Sequence, residues 1–214
     1  MFDFSYCENS SGFFITYPFN VLSNMIFIFI GIYILSLKNR HGNTITAALL
    51  IISIGVGSSI WHFFSQKWLL IFDIGSIAVF VIWYLYWFTS CYIKLSTSVF
   101  IIISIMFLTI SFLSAYLLKT IIPMNSAGFL PLLAILFGIG LSGISSKSYR
   151  ISFLVSGLCL LIALVFRIID RDLCNLIPFG THFLWHIFCG LSLYGPIYLL
   201  LKETSNAKTR NPAK

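Results

Sequence analysis

Four ionisable residues stand inside apolar stretches of this 214-residue chain: His62, Asp73, His182 and His186. Such groups are costly within a bilayer and mark functional sites by default. His182 and His186 are four residues apart, so on a helix they share one face, a turn from each other. Two neutral imidazoles at that spacing can clasp one metal ion. A third ligand from another helix then leaves a position for water, the pattern of catalytic zinc. His62 is the natural third ligand. Asp73 can hold and deprotonate that water, and Ser58, one turn before His62, can donate a hydrogen bond to it or to a developing oxyanion.

Blander readings compete. Stacked imidazoles also bridge helices by hydrogen bonds, and paired histidines in a membrane bundle also ligate haem. Haem would want axial ligands on opposing helices and has no use for an acid at the same depth. Asn20, Ser23 and Asn24 read as interhelical hydrogen-bonding groups, Cys189 as a small core residue, and His41 as a solvated loop side chain. The sequence holds no His-Glu-x-x-His, no Gly-x-Ser-x-Gly and no Cys-x-x-Cys, so other intramembrane hydrolase and thiolate-zinc signatures are missing.

The elements that must position these residues are membrane helices. Hydrophobic residues make up 59% of the chain and charged ones only 9%, against about a quarter charged in a soluble domain. Apolar runs fall at Tyr17–Leu37, Thr44–Phe64, Trp68–Phe88, Thr97–Leu118, Gly128–Ile144, Ile151–Phe166 and Pro178–Leu201. Unbroken runs of this length in lipid can only be helices. The expected fold is all-α, a seven-helix polytopic bundle. The fifth and sixth runs are short, which suggests shallow or tilted helices. One integral domain, 1–214, accounts for the chain, with no cleavable leader, an external segment at 1–16 and a cytoplasmic basic tail at 202–214.

The basic residues set an orientation. Lys38, Arg40, Lys94, Lys147, Arg150, Lys202, Lys208, Arg210 and Lys214 fall on one side, and Lys67, Lys119, Arg167 and Arg171 on the other. The positive-inside rule places the N-terminus outside and the C-terminus in the cytoplasm. The net charge of +7 is thus a topology signal and implies no nucleic-acid partner. With a 1.5 Å rise per residue, His62, Asp73 and His182 lie roughly 6 to 8 Å below the outer ends of their runs, and His186 about 12 Å. Three separate stretches deliver all four groups to one shallow layer.

Ser58-x-x-x-His62, Asp73 and His182-x-x-x-His186 in a seven-span chain resemble the alkaline ceramidase family, part of a wider group that includes the progestin and adipoQ receptors. The likeness runs from Cys7-Glu8 through Asn20-Val21-Leu22-Ser23-Asn24 to the segment His182–Leu191, with only hydropathy matching between Lys94 and Arg167. An outside N-terminus suits the ceramidases, whereas the receptors are inverted. The resemblance implies a zinc amidase that cleaves the N-acyl bond of ceramide or another N-acyl lipid to a sphingoid base and a fatty acid. His62, His182 and His186 would be the zinc ligands, with Ser58 and Asp73 around the bound water. The animal members of that family carry a calcium site near the N-terminus. Here Ser5, Tyr6 and Tyr17 stand where others have Asp, Trp and Glu, which counts against calcium and leaves Glu8 the only retained candidate ligand.

Cys7 and Cys174 are the two cysteines in segments assigned to the outer side, where disulfides persist, and resembling proteins carry a cysteine at each position. A bridge between them is expected, tying the N-terminal segment over the zinc layer. The resulting expectation is a multi-pass protein of a bacterial inner membrane or eukaryotic endomembrane, with a membrane lipid as substrate and no protein partner implied. The alternatives are a lipid-responsive seven-span receptor with structural zinc and a haem-binding membrane protein.

Overall fold

The computed structural model describes residues 6–8, 14–38, 42–143 and 146–210, the last four of these by their backbone alone. Asp3, Ser5, Arg40, His41 and Lys214, and the side chains of Lys208 and Arg210, lie outside the described set. Among the described residues the regular structure is entirely helical. Seven helices are long and apolar enough to cross a membrane: α1 (Pro18–Ser36), α2 (Gly42–Phe64), α3 (Lys67–Tyr92), α4 (Thr97–Leu117), α5 (Pro123–Leu141), α6 (Lys147–Ile169) and α7 (His182–Asn206). The protein is an integral multi-pass membrane protein.

Ser96 caps α4 by accepting the Val99 N–H, and Pro18 and Pro123 open α1 and α5, where a missing N–H costs nothing. Each helix packs on its neighbours in chain order and α7 returns to α1, so the bundle is a closed ring. The seam between α3 and α4 is the thinnest. At Gly57 a Cβ would collide with the Phe72 carbonyl. The close approach of α2 and α3 that this glycine permits brings Ser58 and Asp73, the next residue on each helix, to one level.

Three expectations need correction. The sixth helix is not short: it has 23 residues rather than ending at Phe166. It outruns its apolar stretch because its terminal charges find partners. Arg150 donates to the Gly140 carbonyl at 3.2 Å, and Arg167, read as a loop charge, is buried in the last turn. The fifth helix begins at Pro123, not Gly128, through a tight turn with positive φ at Met124 and Asn125. The seventh begins at His182 rather than Pro178, so both histidines sit closer to its end than expected.

Candidate metal centre and its cavity

His62, in the last turn of α2, and His182 and His186, in the first two turns of α7, converge. All three are buried, at 0%, 1% and 3% exposure. Their ring centroids stand 4.8 to 5.3 Å apart, and their candidate ligand atoms lie within 4.8 Å of one another. This three-histidine group can hold a metal ion. Both ring nitrogens of His62 and Nδ1 of His182 have no hydrogen-bond partner. Buried polar atoms left this way cost about 1–3 kcal/mol each, so their clustering at one point fits a site for a cation. Three imidazoles without thiolates suit a cation such as zinc.

Neighbouring residues fix the geometry. Ser23 Oγ lies 2.8 Å from His186 Nδ1 and donates its own hydrogen to the Asn20 carbonyl at 3.0 Å. Ser23 is therefore the acceptor, His186 carries its proton on Nδ1, and Nε2 is free to ligate. Asp170 accepts backbone N–H bonds from Thr181 at 2.6 Å, His182 at 2.9 Å and Cys7 at 3.0 Å. Its carboxylate satisfies N–H groups at the start of α7 that have no intrahelical partner, and so sets where His182 begins.

A short strap, Tyr6 to Glu8, closes the histidine end. The Tyr6 ring packs 4.2 Å from His182 and 5.0 Å from His62, and its hydroxyl accepts from Trp61 Nε1 at 3.1 Å. Tyr17 meets Tyr6 edge-on at 5.1 Å. Burial pushes the Tyr6 phenol above its ordinary value, with the nearby Arg167 charge pulling the other way. Cys7 and Cys174 stand at disulfide distance, with Cα atoms 5.1 Å apart, as expected. Glu8 is buried and takes the N–H groups of Phe19 and Asn20, one on each carboxylate oxygen. Burial raises its pKa while those two N–H groups lower it. The residue singled out as a calcium candidate is thus a cap for the first turn of α1.

Beneath the histidines lies an elongated, partly open cavity of about 100 Å³. Along α3 its wall runs from Asp73 through Ile77, Tyr84 and Phe88, 15 residues or roughly 22 Å of helix. Asp73, Ser58, Asn24 and His186 line it together, and nearly all other lining residues are apolar. The structure therefore brings Asp73 and Ser58 to the same chamber as one of the three histidines.

Sequence reasoning missed two residues at this end. Arg167 donates to the Met124 carbonyl at 3.1 Å, and its guanidinium lies over the rings of Trp185 and Phe129 at 4.9 and 5.6 Å. It braces α5, α6 and α7 beside the histidines. Asp170, the other, sits in the stretch Arg167-Ile-Ile-Asp170-Arg-Asp172, whose charge density reads as a solvated loop. Nothing in that run distinguishes the buried members from the exposed Arg171.

A seven-helix membrane bundle with a buried three-histidine group above an apolar chamber defines an intramembrane metal-site protein. The chain belongs to the ceramidase family, whose model, described as Ceramidase, matches residues 4–214. It is accordingly an amide hydrolase of the ceramide N-acyl bond, with a lipid substrate in the membrane. Comparison with curated proteins and with solved structures returned no match.

Proposed function

We propose that this protein is a zinc-dependent amidase that cleaves the N-acyl bond of ceramide-like lipids within the bilayer, as one integral unit spanning 1–214. The observation that carries the reading is the convergence of three buried histidines, with unpartnered ring nitrogens, at the head of an apolar cavity that Asp73 and Ser58 also line. His62, His182 and His186 hold the ion, and three imidazoles meeting at one point suit an ion better than a macrocycle gripped between opposing helices. When bound, zinc supplies a Lewis acid that activates water and polarises the amide carbonyl.

The chain's own residues do the rest. Asp73 takes the proton from the attacking water and returns it to the leaving amine. Ser58 Oγ donates to the carbonyl oxygen as negative charge develops there. Ser23 keeps the His186 tautomer fixed. The long cavity takes hydrocarbon and excludes water from the amide. Glu8, the Cys7–Cys174 pair and Asp170 fasten the strap.

For topology, the N-terminus is outside and the C-terminus cytoplasmic. Moving Arg167 from the loop set into the bundle leaves only Lys67, Lys119 and Arg171 at the histidine end, which strengthens the bias. Metal analysis of the purified protein, combined with mass spectrometry of mixed membrane lipids after incubation, tests the function. About one zinc per chain and release of sphingoid base and fatty acid are expected. Asp73→Asn should keep the zinc and lose hydrolysis by about 10²- to 10⁴-fold. Intact turnover in that variant would remove the mechanism.

A further inference from the structure

Asn24 opens the inner part of α1 and is among the residues that line the cavity, with Ser58, Asp73 and His186. It is fully buried, at 0% exposure. Its Nδ2 donates to the Asn20 carbonyl at 2.9 Å, which fixes the orientation of the amide, because the atom against a carbonyl oxygen must be the NH₂. Oδ1 then points elsewhere, and it has no partner. Other polar groups on this wall are already engaged. The Tyr84 hydroxyl donates to the Pro196 carbonyl and that of Ser192 to the Cys189 carbonyl, and His186 Nδ1 is held by Ser23. On this wall Asn24 Oδ1 remains unpartnered, while Ser58 Oγ lies against the Asp73 carboxylate.

The pair is chemically complementary to an amide. Ser58 brings a hydroxyl that can donate, and Asn24 brings an oxygen that can only accept. A secondary amide presents a carbonyl acceptor and an N–H donor, and the sphingoid head adds hydroxyl donors. We infer that Asn24 Oδ1 accepts a hydrogen bond from a donor in the polar head of the substrate, the amide N–H or a hydroxyl, and is a specificity-determining residue. This rests on the amidase reading above. It explains why a buried carbonyl oxygen is kept without a partner in an otherwise apolar chamber, at a cost that occupancy removes. A site built to hydrogen-bond a substrate group rejects analogues that lack it, because its own polar atom is then stranded.

The experiment compares ceramide with its N-methyl analogue and with analogues lacking the first or the second head hydroxyl. For the wild type, kcat/KM should fall about 10- to 100-fold for the analogue missing the donor that Asn24 reads. In Asn24→Leu, ceramide itself should drop to that level and the discrimination collapse to within about threefold. Each ratio is measured within a single variant, so a reduced folded fraction cancels. Asn24→Ala provides the same ratio should the leucine variant not accumulate. Competition of the same lipids against a fluorescent ceramide, on Asp73→Asn protein with and without Asn24→Leu, reads the ratio without turnover. A wild type that hydrolyses no N-acyl lipid overturns the amidase reading, whereas the competition ratios still decide Asn24. Full discrimination on every analogue in the Asn24 variants would overturn the inference.

Discussion

Helices α4 and α7 are both long, apolar and able to cross a membrane, yet they meet the rest of the protein differently. Half of the most apolar stretch of α7 is buried inside the bundle, against 6% for α4. Among the residues of α4, Ser104 is the buried one, and large side chains such as Ile105, Phe112 and Tyr116 are exposed to lipid. The buried set of α7 instead includes His182, Trp185, His186 and Gly190. Apolarity is therefore what admits a helix to the membrane. Its small and polar residues decide whether it enters the core, because lipid competes for apolar side chains as well as protein does.

The sharpest way to test that contrast is at the histidines. His182→Ala or His186→Ala should lose bound metal and reduce hydrolysis to below about 1%, read by metal analysis and product release. A variant that still held about one zinc per chain would show that α7 does not form the site.

Next in size is the anchor of α7. Asp170→Ala strands the N–H groups of Thr181, His182 and Cys7, and should lower stability in detergent by about 3 kcal/mol. A melting temperature equal to that of the wild type would mean the start of α7 is held by something else. Ser23→Ala should be milder, weakening metal affinity about 10- to 100-fold while leaving the melting temperature of the metal-free protein nearly unchanged. Competition with a chelator measures it, and unchanged affinity would detach Ser23 from His186. Smallest should be Phe112→Leu on α4, within about 0.5 kcal/mol of the wild type. A large loss of stability there would break the comparison by revealing a packed face on α4.

The fold was legible because the bilayer leaves few choices. Runs such as Thr44–Phe64 and Thr97–Leu118 match α2 and α4 closely, since a backbone without water must close its hydrogen bonds within the helix. The histidines and Asp73 were legible for a related reason: ionisable groups in such runs are conspicuous. Arg167 and Asp170 were not. They lie in a charged stretch, and only the partners they meet, the Trp185 ring and the α7 amides, make their burial tolerable. Ser23 and Asn24 were read alike as interhelical hydrogen-bonding groups. In the structure one holds an imidazole and the other is among the residues lining the cavity.

By itself the sequence determined that this chain crosses a membrane with seven helices, and that three histidines and an aspartate lie near one face. Those properties follow from local quantities, namely the length of apolar runs and the spacing of residues along a helix axis. Tertiary structure alone decided that the imidazoles converge, and that Glu8 caps α1. It also decided that the chamber runs about 22 Å along α3. Each of these depends on how helices rotate and approach one another. That is set by contacts between distant residues, such as Gly57 with Phe72 or Asp170 with Thr181, and no periodicity within a single run records them.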